Sequence, residues 1–283
     1  MIYIIIILLI VVLLIYKSKT TEGLQNFYNI PKVIWTYWNS DELPDVVNLC
    51  IDTWRKHNPD FTINILSPNN LHDYVNVHLK SIPWNDSPAR ESDIVRILIL
   101  EKYGGVWSDA TVMVTKPFDF DFGVKCQFIG YYFNGMTSDY DHPIIESWFF
   151  AAVPGSPFMK NWKNAFFKLN DFKTVSDAVK YMKDEGVDLQ KMHSHEYLFI
   201  YIAAQYVLQK QMTVDEIKKT MVLMKAEDGP FKYVEKNGWN VEKSLEDVCK
   251  GNNVTDIIKF RVKERNVLLK NSELKDCVFS KAL

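Results

Sequence analysis

RESDIVRILILEKYGGVWSDATVMV, residues 90–114, reads as a helix, a two-glycine turn and a strand, and the charges inside it decide where chemistry can lie. Ser87-Pro88 just upstream supplies a capping hydroxyl and a proline suited to the first helical position, and Gly104-Gly105 ends the helix after Tyr103. Ile94, Val95, Ile97, Leu98, Ile99 and Leu100 surround the axis, which predicts a largely buried helix. Asp93 and Arg96 lie three apart on one face of it, and charges in such a helix are costly unless paired or liganded. Two readings follow: an internal ion pair, or a pair pointing into a polar pocket at the strand ends. The strand read over 106–114 carries Asp109 in an apolar and small run, with Trp107, Asp109, Thr111 and Met113 on one face by period two. A carboxylate just past a glycine turn suits a ligand hydroxyl or a divalent cation bridging phosphates; an exposed edge residue is the plain alternative.

Outward from this stretch, strands and helices alternate. KVIWTYW at 32–38 reads as a buried strand, Pro44-Asp45 opens a helix to about His57, 61–66 is a second strand and 71–79 a further helix. Later strands are read over 127–133 and 148–153. Ser156-Pro157 caps a helix to about Leu169, and Thr213 with Glu216 forms a capping box. This rhythm predicts an α/β fold, a mixed, mostly parallel sheet flanked by helices, in one domain over 30–283.

The 283 residues are 47% hydrophobic and 24% charged, which argues against a disordered, collagenous or coiled-coil chain. With 33 basic against 35 acidic side chains the net charge is −2, so no nucleic-acid footprint exists. Residues 2–16, IYIIIILLIVVLLIY, carry no charge and no cleavage signature, and read as an N-terminal transmembrane anchor over 1–17, followed by a stem over 18–29. Lys17 and Lys19 lean the main domain to the cytoplasmic face of a single-pass membrane protein, with a lumenal orientation left open. Cys50, Cys126, Cys249 and Cys277 show no disulfide or metal spacing, so a reduced compartment is expected.

S-D-x-x-R at 92–96, then Y-G-G-V-W-x-D-A-T at 103–111, resembles the core signature of the capsular polysaccharide synthesis family of glycosyltransferases, and more distantly the fungal outer-chain mannosyltransferases and glucosylating toxins. Ile30-Pro31-Lys32-Val33-Ile34-Trp35 with Tyr37-Trp38, Trp54-Arg55-Lys56-His57-Asn58-Pro59, and Trp148-Phe149-Phe150-Ala151-Ala152 before Pro154-Gly155 match in order. The resemblance implies a GT-A type nucleotide-sugar-binding fold and a metal-assisted, retaining hexosyl transfer from a nucleotide diphosphate sugar to a glycan or polysaccharide hydroxyl. It implies that Asp109 contacts the donor's ribose and metal-bound diphosphate, that Asp93 and Arg96 hold the donor sugar and its phosphate, and that Trp35 lies beside the base. Thr111 stands where a second D-x-D carboxylate would be and joins the donor-binding set. A Mn²⁺ or Mg²⁺ ion is then expected on Asp109 and, from a C-terminal segment, Asp256, for which a surface loop acid is the plain alternative; Lys259 and Arg261 are candidate phosphate contacts or solvent-facing charges.

Asp119-Phe120-Asp121 and Asp139-Tyr140-Asp141 also spell D-x-D but lack the preceding helix and glycine turn. His193, His195 and Glu196 lack the spacing of a zinc helix and read as a polar cap. Two other functions fit the same sequence: a non-catalytic glycan- or nucleotide-sugar-binding protein, and a phosphosugar transferase. The expectation for Asp109→Asn is loss of transfer with melting nearly unchanged.

Overall fold

The computed structural model describes residues 30–120 and 126–283. The central sheet has β1 (Val33–Tyr37) between β2 (Thr62–Leu66) and β3 (Gly105–Ser108), parallel to both. β6 (Ile145–Ala152) runs antiparallel to β3 and to β5 (Phe128–Tyr132), and β7 (Met221–Lys225) lies parallel to β5 at the far edge. Parallel pairing thus predominates, as the alternating sequence implies. The chain steps from β1 to β2 on one side, then to β3 on the other, so the crevice past the C-terminal ends of β1 and β3 is a topological switch point.

Helices cover both faces. α1 (Asp45–His57) buries Val46, Val47, Cys50, Ile51 and Trp54, a helical stripe, and Trp54 Nε1 donates to the Val112 carbonyl at 2.7 Å. α2 (Pro88–Tyr103), α3 (Pro157–Phe167), α4 (Val175–Asp184) and α5 (Phe199–Lys210) pack on the opposite face, where Ile94, Ile97, Phe158, Trp162 and Phe199 are fully or almost fully buried. α6 (Val214–Thr220) leads into β7 through the expected Thr213–Glu216 capping box. α7 (Lys232–Glu235), α8 (Val241–Cys249), α9 (Val262–Lys270) and α10 (Ser272–Phe279) complete the α1 side.

The α2 boundaries follow the sequence closely. Ser87 Oγ accepts from Arg90 N, Pro88 is the first helical residue, and Gly104 has φ +61°. A Cβ on Gly104 would lie 2.6 Å from Pro154, and one on Gly105 2.6 Å from the Val33 carbonyl, so the glycines let α2 and β3 meet the neighbouring chain closely.

Three expectations are corrected. The strand read over 106–114 is broken: Asp109 N still donates to Trp148 O at 2.8 Å, in line with the β3–β6 pairing, but Val112 N closes a turn on Asp109 O at 3.1 Å and the chain leaves the main sheet. Its continuation, β4 (Val112–Val114), pairs instead with β8 (Ile257–Lys259), so the alternation drawn through Asp109 does not hold. The helix read over 71–79 is two single 3₁₀ turns, Leu71–Asp73 and Leu79–Ser81; Leu71, Val75 and Leu79 are buried at a spacing that imitates a helix. Cys249 and Cys277 form a disulfide between α8 and α10, a pairing that tertiary packing creates across 28 residues and that spacing alone could not reveal. The helix read from Ser156 to about Leu169 is present, capped by Ser156, with its last turn tightening after Phe167 into a 3₁₀ turn, Lys168–Asp171. The apolar run at 2–16 and the stem lie outside the described residues; among the described residues no helix is long and apolar enough to cross a membrane.

Candidate functional site

The break after β3 lifts Asp109 to the floor of the switch-point crevice, a cleft of about 540 Å³. Two cations hold its carboxylate. Arg96 Nη2 donates to Asp109 Oδ1 at 3.1 Å, and Lys259 Nζ donates to Oδ2 at 2.7 Å and to Thr111 Oγ1 at 3.1 Å. Trp107 Nε1 adds a bond to Oδ1 at 3.1 Å. β8 delivers Lys259 because it pairs with β4 opposite Val112, and Lys259 N donates to Pro230 O, so the Asp228-Gly229-Pro230 loop braces the strand from below.

Arg96 is fully committed. Its Nε and Nη2 donate to Ser92, its Nη1 to the carbonyl and hydroxyl of Ser147 on β6, and its guanidinium lies 5.2 Å from the centre of the Trp107 ring. Asp93 Oδ1 approaches Arg96 Nη1 at 3.3 Å, and Arg90 Nη1 stands 4.0 Å from Asp93 Oδ2. The two sequence readings of Asp93 and Arg96 are therefore both met: they are an ion pair, and both line the cleft.

Environment separates the two aspartates. Burial alone would raise the Asp109 carboxyl, but the Lys259 ammonium and Arg96 guanidinium outweigh it and hold the group below the usual range. Asp93 is pushed up to about 6 by burial, against the opposing pull of Arg96 and Arg90. Beneath the cleft wall, Glu146 on β6 is pushed up to about 7 by burial and accepts from the Tyr201 hydroxyl of α5. Burial and Glu146 together raise the Tyr201 phenol.

Other sequence candidates fall elsewhere. Trp35 is 4% exposed; its Nε1 donates to Gly104 O at 3.0 Å and its ring packs against Tyr74 and Tyr103, so it belongs to the core and not beside a base in the cleft. Tyr37 and Trp38, at the end of the same strand, line the cleft instead. Asp256 is exposed and paired with Lys116 at 2.9 Å; it adjoins Thr115, at the end of β4 away from Asp109. Asp139 pairs with His142 and Asp141 with Lys218, His195 bonds Met192 O, and Asp121 lies outside the described residues. Glu146, Tyr201 and Ser147 were missed. Their signal was a glutamate inside the apolar strand IESWFFAA and a tyrosine inside the apolar helix FIYIAAQYV.

The expected divalent cation does not fit these residues. Mg²⁺ and Mn²⁺ take several oxygen ligands. Asp109 is one carboxylate already shared by two cations, Thr111 is bonded to one of them, and Asp256 is directed to Lys116. Among the described residues no group of three or more His, Cys, Asp or Glu gathers as a ligand set. The Asp109→Asn expectation also changes: without the carboxylate, the buried Lys259 loses the anion it is paired with and Arg96 keeps only Asp93, so stability should fall.

The sequence profile of a family described as "Capsular polysaccharide synthesis protein" matches residues 13–230, more than half of the chain, and stops short of β8 and Lys259. Among curated proteins, O-glycosyltransferase braB of Annulohypoxylon truncatum is 29% identical over 163 residues, 50% of this chain and 38% of that protein. The chain therefore aligns with well under half of that relative's length. Two solved structures are similar: "PaToxG Glycosyltransferase", 17% identical with a TM-score of 0.36, covering 73% of this chain and 90% of that one, and a glycosyltransferase involved in the glycosylation of the major capsid of PBCV-1, 9% identical with a TM-score of 0.42, covering 84% and 98%.

Proposed function

Since the chain belongs to the capsular polysaccharide synthesis protein family, we propose that it is a glycosyltransferase whose cleft moves a sugar from a nucleotide diphosphate sugar to a glycan or polysaccharide hydroxyl, on a GT-A type fold. The observation that carries this reading is the array of buried Asp93, Arg96 and Lys259 around the half-buried Asp109 at the β1/β3 crevice. A departing diphosphate develops negative charge, and fixed cations in a partly dry cleft are the groups that stabilise it. Asp93, buried against the paired Arg96, is positioned to accept from donor sugar hydroxyls; Asp109 and Thr111 face the ribose and diphosphate side. In this reading the anomeric carbon–oxygen bond breaks with its electron pair on the diphosphate. The acceptor hydroxyl oxygen bonds the anomeric carbon with retention, and its proton passes to the leaving phosphate oxygen. The apolar run at 2–16 serves as a membrane anchor, and the Cys249–Cys277 bridge supports an oxidising compartment for the domain over the cytoplasmic face.

The test incubates the full-length chain in detergent with nucleotide diphosphate sugars and a glycan acceptor, and follows nucleoside diphosphate release and acceptor mass. Turnover with one donor, and a fall of at least about a hundredfold in folded Asp109→Asn, is expected. Binding without release would favour a binding protein, and release of pyrophosphate or nucleoside monophosphate a phosphosugar transferase.

A further inference from the structure

We infer that Lys259 does the work expected of a divalent cation, so that donor binding and turnover in this protein are independent of divalent metal; this rests on the glycosyl-transfer reading above. The ammonium contacts both members of the Asp109-x-Thr111 motif at once, at 2.7 and 3.1 Å, and so occupies the space between them that a bridging ion would need. It is 7% exposed, held over the Trp148 ring at 5.7 Å, and carried on a strand that pairs directly with the motif's continuation.

Donor arithmetic singles it out from Arg96. A guanidinium has five N–H donors, and those of Arg96 are directed to Ser92, Ser147 and Asp109. An ammonium has three, and Asp109 and Thr111 take two, which leaves one on Lys259 for a diphosphate oxygen in the cleft it lines. Arg96 is thus a positioning residue that fixes Asp109, and Lys259 is the group that touches the leaving phosphate. Arg265 lines the same cleft, as does Arg261, whose guanidinium is paired with the buried Glu264, so Arg265 is the group that adds positive charge near Lys259 and favours an anion there.

The deciding experiment is nucleoside diphosphate binding to the full-length chain in detergent, by calorimetry, in EDTA and in Mn²⁺, with turnover followed in the same two buffers. The expected result is an affinity and a rate that differ less than about twofold between buffers. Lys259→Ala should weaken binding about 10- to 100-fold, the equivalent of one charge-assisted hydrogen bond, and Lys259→Arg should retain part of it. The wild-type comparison needs no variant to fold. Binding or turnover that requires Mn²⁺ overturns the inference while leaving the glycosyl-transfer reading standing. EDTA-resistant binding that survives Lys259→Ala in folded protein overturns the role of Lys259. Absence of nucleotide binding in either buffer overturns both.

Discussion

Replacing Glu146 by Gln should remove a pH dependence that burial creates. The Glu146 carboxyl is 5% exposed on β6, accepts from the Tyr201 hydroxyl, and is pushed from 4.5 up to about 7 by burial. The folded protein therefore holds this proton more tightly than the unfolded chain, so the group's contribution is complete below about pH 4.5 and is lost as pH rises towards 7. A shift of that size corresponds to roughly 3 kcal/mol, of which about 2 to 3 kcal/mol falls between pH 5 and 8. Gln preserves the shape and an acceptor for Tyr201 but cannot ionise. Urea unfolding of wild type and Glu146→Gln across pH 5 to 8 reads the difference directly, because Asp93 and Asp109 titrate in both proteins. Wild type should lose about 2 to 3 kcal/mol more than the variant over that range. Parallel curves would refute the reasoning, since Glu146 would then ionise equally in folded and unfolded chains.

Three further substitutions test the frame around the site. Cys277→Ser opens a link across 28 residues between α8 and α10, and should lower stability by about 3 to 4 kcal/mol in urea titration, an effect that reductant reproduces in wild type and not in the variant. Gly104→Ala should cost clearly more than Gly155→Ala in thermal unfolding. Both have φ near +60°, but a Cβ at Gly104 meets Pro154 at 2.6 Å and Ala152 O at 2.8 Å, whereas one at Gly155 has nothing within 4 Å; about 2 kcal/mol or more against about 1 kcal/mol is expected.

What the sequence makes legible is governed by range. α2, its cap and its glycine stop are local devices, and charges at Asp93 and Arg96 inside an apolar helix mark an internal ion pair or a polar cleft, both of which the fold provides. Asp109, just past β3, stands out as a charge in an apolar and small run. The turn after Asp109 was not legible, because it carries the chain out of the main sheet to pair β4 with β8, a strand from far along the chain. Lys259 lies 150 residues from Asp109, in a short strand with no signature of its own. Trp35 illustrates the converse: a tryptophan in an apolar strand reads the same whether its face meets a base or, as here, two tyrosines of the core. The metal expectation rests on a second oxygen ligand beside Asp109, and Thr111, which stands at that position, accepts from Lys259 instead.

Sugar transfer from a nucleotide diphosphate donor at the Asp109 cleft is read most directly from the mass of a glycan acceptor after incubation with donor and the full-length chain, beside folded Asp109→Asn. An added sugar mass with stoichiometric nucleoside diphosphate, lost in the variant, is the predicted result. An unmodified acceptor across all nucleotide diphosphate sugars, or equal transfer by Asp109→Asn, would contradict it.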